Sequence, residues 1–210
     1  MRDPHEQLAS VVDPRHTAVM VVDVQNCFCD VEAIPTVEAM LPRLEEFIAD
    51  ARRFDVPLIF TQVIQTDETD TEVWESLYER SPWFRELCRP GSHGADYHPR
   101  FRPESGDTAL VKHRYSAFIG TPLEMMLRAR GIKTVVLTGL STDCCVGTTA
   151  HDAFQRDFHS VMVEDCTATA TETAQQAVLE THRNVFGLVA TSADIVQAWK
   201  SVATPVVFQL

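Results

Sequence analysis

The strongest constraint on this chain is a rhythm: short, continuous apolar runs separated by segments of helical period. The run Ala18-Val19-Met20-Val21-Val22 is unbroken and rich in β-branched residues, the pattern of a strand covered on both faces. Similar runs occupy 57–60, 109–111, 135–137, 161–163 and 188–190. Val37, Met40, Leu41, Leu44, Phe47 and Ile48 recur at helical spacing between the first two runs. Thr121-Pro122-Leu123-Glu124 reads as a capping box with Pro at the first helical position, opening a helix that runs to Arg130 and stops at Gly131. Ala174, Ala177, Val178 and Val185 mark a further helix closed by Gly187, and Thr191 and Asp194 open a last one. Strand and helix in alternation predict an α/β fold, an open parallel sheet with helices on both faces and right-handed crossovers.

One stretch breaks the rhythm. Residues 64–107 hold Trp74, Trp83, four prolines and Gly91, Gly94 and Gly106, which predicts short helices and a long excursion covering a pocket. No linker divides the 210 residues, so one domain is expected over 1–210, with 1–16 as an N-terminal extension. The formal charge of −12 disfavours phosphate backbones and anionic membrane surfaces as partners. No run approaches the roughly 18 apolar residues of a membrane span. The opening residues lack the apolar segment of an export signal, so a cytoplasmic protein is expected. Cysteines at 27, 29, 88, 144, 145 and 166 fit neither a disulfide framework nor the paired C-x-x-C spacing of a zinc site.

Ligands of open parallel sheets bind beyond the carboxyl ends of the strands. The first run ends in Asp23, the third in Lys112, and the fourth in Gly139-Leu140-Ser141-Thr142-Asp143-Cys144-Cys145-Val146. The last segment turns from strand into helix, which places Cys145 near a helix N-terminus, where free N–H groups favour a thiolate. A nearby lysine favours it further, and the same N–H groups suit the oxyanion of an attacked carbonyl. Each residue alone also has an ordinary reading: a loop cap, a surface charge, a small buried apolar side chain. His93, Asp96 and His98 lie close together in one loop and read either as ligands or as ordinary turn residues.

The sequence resembles the isochorismatase-like cysteine hydrolases from about residue 17 to 199. The resemblance rests on Val21-Val22-Asp23-Val24-Gln25-Asn26 with Phe28; Val111-Lys112-His113-Arg114-Tyr115-Ser116-Ala117-Phe118 with Gly120-Thr121-Pro122-Leu123-Glu124; Thr138 to Val146 leading into Thr149-Ala150-His151-Asp152-Ala153; and Val163-Glu164-Asp165. It implies a three-layer α/β/α sandwich around a six-stranded parallel sheet. It also implies a triad of Asp23, Lys112 and Cys145. Cys145 rather than Cys144 matches the nucleophile, because Val follows it. A cis peptide between Leu140 and Ser141 and an oxyanion hole from the N–H groups of Ser141 and Cys145 are further implications.

The implied reaction is hydrolysis of a C–N bond in a small amide, ureido or carbamoyl compound through a thioester. No cofactor is implied, and the protein is expected to form a dimer or tetramer. Nicotinamidase-type relatives hold a metal through an Asp-x-His pair after the second strand. Residues 62–70 here contain no histidine, so no metal is expected. Cys27 stands where relatives often carry an acidic residue or glycine. Phe28, Trp83, Tyr115 and Phe118 are candidates for a substrate-pocket wall, or else for core packing. Arg114, in a Lys-x-Arg-Tyr-Ser order similar to ureidoacrylate amidohydrolases and related carbamoyl hydrolases, either meets a substrate carboxylate or makes a structural contact. The alternatives are an isochorismatase-type vinyl ether hydrolase and a catalytically silent binding protein of the same fold.

Overall fold

All six apolar runs are strands. In the computed structural model, which describes residues 4–29 and 34–203, they are β1 (Thr17–Val22), β2 (Leu58–Val63), β3 (Thr108–Lys112), β4 (Thr134–Leu140), β5 (His159–Ala168) and β6 (Leu188–Ala190). They form one parallel sheet in the order β3-β2-β1-β4-β5-β6. Every residue of β1 and β4 is buried, as central strands with both faces covered must be. The short run at 109–111 is the edge strand β3, whose burial alternates and whose Val111 is 47% exposed.

The helices are α1 (Pro4–Val11), α2 (Val37–Arg53), α3 (Glu72–Arg80), α4 (Leu123–Ala129), α5 (Gly147–Gln155), α6 (Glu172–Thr181) and α7 (Ser192–Ala203). Alternate residues of β1 feed two cores, since successive side chains point to opposite faces. Val19 and Val21 pack with Leu8 of α1, Leu44 of α2 and Trp199 of α7. Ala18, Met20 and Val22 pack with Leu127 of α4, Ala150 of α5 and Leu179 of α6. The three expected layers are therefore present. Within the segment expected as an N-terminal extension, Leu8 and Val12 are buried core residues.

Helix ends follow local chemistry with two corrections. The box at 121–124 does not close: Thr121 Oγ1 accepts from the Leu123 N–H at 3.2 Å, while Glu124 pairs with Arg128 and Arg156. The reciprocal pair forms instead at α7, where Thr191 Oγ1 accepts from the Asp194 N–H at 3.1 Å and Asp194 Oδ2 accepts from the Thr191 N–H at 3.2 Å. The predicted stop at Gly131 is a Schellman turn, with the Ile132 N–H donating to Leu127 O and the Gly131 N–H to Arg128 O. The helix expected to reach Gly187 ends earlier, at Thr181, and continues as a widened turn over His182–Phe186. Glycine is required at 187 by crowding, because a Cβ there would lie 2.0 Å from Ser160 O.

The excursion at 64–107 carries α3 and a short helical turn over Pro82–Glu86. Its brace is the side chain of Asp70, 4% exposed, which pairs with Arg89 at 2.7 Å and accepts from the Tyr78 hydroxyl at 2.8 Å. Among the described residues no helix is long and apolar enough to cross a membrane.

Candidate active site

The chain leaves β1 toward β2 and β3 on one side, then returns to place β4 on the other. The carboxyl ends of β1 and β4 thus flank the crevice that such a reversal opens. Asp23 follows β1 directly, in a left-handed conformation with φ 48° that aspartate tolerates better than most residues. Its side chain is buried and lies 2.7 Å from Lys112 Nζ, also buried. Lys112 sits on β3, two strands and about 10 Å away at ordinary strand spacing. Only a long side chain crosses that distance. Its ammonium also donates to Arg114 O and Tyr115 O, both at 2.9 Å.

Thr61, on the intervening strand β2, completes the pair. Its hydroxyl donates to Asp23 Oδ1 at 2.6 Å and accepts from the Asp23 N–H at 3.1 Å. Asp23 Oδ2 faces the Lys112 ammonium. Burial alone would lower the Lys112 pKa, but the Asp23 carboxylate beside it outweighs that and raises it above the ordinary lysine value.

Cys145 lies in a widened helical turn, Thr142–Val146, between β4 and α5. Gly139 lets this turn approach β1: its φ is 99°, and a Cβ there would lie 2.1 Å from Val22 O. The Leu140–Ser141 peptide is cis. Cys145 is buried and interacts electrostatically with Lys112 and Asp23. The expectation of a favoured thiolate is reversed at rest. The adjoining Cys144 side chain, burial and the Asp23 charge hold the Cys145 thiol well above the ordinary cysteine range, against the pull of Lys112. The site therefore sets a sulfur that holds its proton more tightly than a free cysteine beside a carboxylate and an ammonium.

A cavity of about 290 Å³ adjoins Cys145. Phe28, Trp83, Tyr115 and Ser141 line it, together with Trp74 and Phe84 of the excursion, which covers the pocket as expected. Two predicted pocket residues lie elsewhere. Phe118 is a core residue against Phe158. Arg114 donates through Nη1 to Thr69 O and His113 O and lies over the Trp74 ring, away from the cavity wall. Its planar cation is used up in tying the excursion to the segment after β3.

Sequence reasoning assigned no role to Thr61 or Gln25. Gln25 is buried, donates to Val63 O and Ala95 O, and accepts from the Val63 N–H, stitching the end of β1 to β2 and the excursion. It stands inside the motif that begins at Val21, which was its one signal. Thr61 had none, since threonine in a strand is ordinary. His93 and His98 are turn residues: the His93 carbonyl accepts from Asn26 Nδ2, and the His98 ring meets Phe101 at 5.5 Å. Among the described residues no three His, Cys, Asp or Glu side chains gather as a metal site.

Comparison with known proteins places the parallel sheet in a class. The isochorismatase domain matches residues 17–194, so the chain belongs to the isochorismatase family. It is 31% identical to a ureidoacrylate amidohydrolase from Enterobacter sp., over 88% of this chain and 90% of that one. Among solved structures, a cysteine hydrolase from Pseudomonas syringae pv. phaseolicola superposes with a TM-score of 0.83 at 26% identity, covering 90% of this chain and 95% of that one. An N-carbamoylsarcosine amidase from Thermoplasma acidophilum has a TM-score of 0.72 at 31% identity, over 84% of this chain and 96% of that one.

Proposed function

We propose that this protein hydrolyses a C–N bond of a small amide, ureido or carbamoyl compound, with Cys145 as nucleophile. The observation that carries the reading is the buried Asp23–Lys112 pair at 2.7 Å with the buried Cys145 beside it. A sulfur that rests as a thiol needs a base at the moment of attack, and the buried Asp23 carboxylate is the basic group beside it. The thiol proton passes to Asp23 as sulfur bonds to the carbonyl carbon. Lys112 offsets the negative charge before and after the transfer. The N–H groups of Ser141 and Cys145 receive the oxyanion. Collapse expels the amine or ammonia, which takes the proton from Asp23 and leaves a thioester. Water, deprotonated by Asp23, then attacks the thioester and returns the thiol. The relatives named as amidohydrolases and the amidase structure support this branch of the family over others. The expected substrate partner is thus a small molecule, the expected cofactor none, and the expected assembly a homo-oligomer.

The test is ammonia release over a panel of amides and ureido compounds. Cys145→Ala is expected to lose at least a thousandfold in kcat/KM while its circular dichroism and Tm stay near wild type. Undiminished turnover by that variant, or pyruvate release from isochorismate as the sole activity, overturns the reading.

A further inference from the structure

The wall of the cavity beside Cys145 is rich in aromatic side chains. Phe28, Trp74, Trp83, Phe84 and Tyr115 give it five aromatic rings, and among the described residues its one charged side chain is the carboxylate of Asp143. Asp143 is fixed there, with Oδ1 accepting from Ser141 Oγ at 2.8 Å and Thr169 Oγ1 at 2.6 Å. Among the described residues no lysine or arginine lines the cavity. Arg85 pairs with Glu75, Arg89 pairs with Asp70, and Arg114 is bound to two backbone carbonyls. Arg80, exposed on α3, acts on the Tyr115 hydroxyl only through its field. The buried Lys112 is committed to Asp23 and two carbonyls.

We infer that the site takes a neutral substrate with an aromatic or branched apolar group, and turns away substrates that carry a carboxylate. The inference rests on the hydrolytic reading above for the reacting group, and on the wall alone for selectivity. A carboxylate brought into an apolar cavity loses its water without gaining a paired cation, and here it also approaches Asp143. An uncharged ring loses little and gains stacking surface on the aromatic side chains. At about 290 Å³ the cavity is at the small end of ligand pockets, suited to one ring and an amide. When an amide is cleaved, the acid product ionises and meets the same unfavourable wall, which speeds its release. A ureidoacrylate is itself a carboxylate, so the substrate of this chain differs in charge from that of the relatives named for it.

Matched pairs test this: benzamide against 4-carbamoylbenzoate, and phenylurea against 3-ureidopropionate. Binding to Cys145→Ala is followed by calorimetry and by quenching of Trp74 and Trp83 fluorescence, and turnover by wild-type ammonia release. Each neutral member is expected to bind at least tenfold tighter than its anionic counterpart. Equal or tighter binding of the anions, or no measurable binding of the neutral compounds, overturns the inference. Binding selectivity without turnover of any compound defeats the hydrolytic reading and leaves the selectivity standing. Turnover favouring the anions does the reverse. Trp83, 65% exposed at the cavity, accepts a designed cation: Trp83→Arg is expected to narrow the neutral-to-anion ratio at least tenfold, and an unchanged ratio overturns the wall as its source.

Discussion

Two polar clusters are sunk into this protein, and they meet burial in opposite ways. In the first, Lys112 is wholly enclosed but has Asp23 and two carbonyl oxygens around its ammonium. In the second, His151 and His182 stack near Phe186, with His182 Nε2 3.3 Å from Ser160 O. His182 Nδ1 and His151 Nε2 are buried without a hydrogen-bond partner. Burial penalises the charged form in both places. At Lys112 the negative charge of Asp23 reverses the outcome, and the cation is held. Nothing reverses it at the histidines: burial pushes His182 down to about 4 and lowers His151 as well. Whether a buried base keeps its charge is decided by the partner it finds. The charged cluster stands at the switch point beside Cys145; the neutral one lies between α5 and the turn after α6.

The contrast breaks most visibly at the pair. Lys112→Met leaves Asp23 as an uncompensated buried charge and two carbonyls without their donor. Stability is expected to fall by about 3–5 kcal/mol, read as a lower urea midpoint at constant slope, with hydrolysis lost. A variant of wild-type stability would show that the pair is not energetically coupled.

The histidine cluster sharpens the comparison through pH. His182 has a folded pKa near 4 against 6.5 when unfolded, so the unfolded chain binds the proton first. Its contribution is complete above pH 6.5 and is lost as pH falls toward 4, by roughly 3 kcal/mol for a shift of that size. Urea unfolding at pH 7 and pH 4.5 should therefore separate wild type from His182→Gln, whose loss over the same interval is smaller. Identical losses in the two proteins would contradict the neutral buried ring.

The smallest effect is expected at Thr61. Thr61→Val removes a donor to Asp23 Oδ1 and an acceptor for the Asp23 N–H while preserving shape. A cost of about 1–3 kcal/mol in thermal or urea unfolding is expected, with kcat reduced more than KM because the base is misplaced.

Much of this was legible beforehand. The continuous runs located all six strands because a strand covered on both faces has no polar side to disguise it. Asp23, Lys112 and Cys145 were legible as residues at strand ends in a fold that brings such ends together. What failed depended on three-dimensional neighbours. The Thr121–Glu124 box has the right residues, yet Glu124 finds two arginines more attractive than its own helix end. Arg114 and Phe118 both sit in the motif that begins at Val111. One turns to carbonyls and the other to Phe158, and no spacing rule distinguishes a side chain facing a pocket from one facing a core.

The order of residues by itself determined the alternation of strand and helix, the parallel sheet and the three chemically capable strand ends. Those follow from periodicity and local sterics, which act over a few residues. Tertiary structure alone decided that the Lys112 ammonium crosses β2 to reach Asp23, that burial holds the Cys145 proton, and that no described lysine or arginine lines the cavity. These are consequences of distance and solvent exclusion, quantities that exist only once remote segments have been packed together.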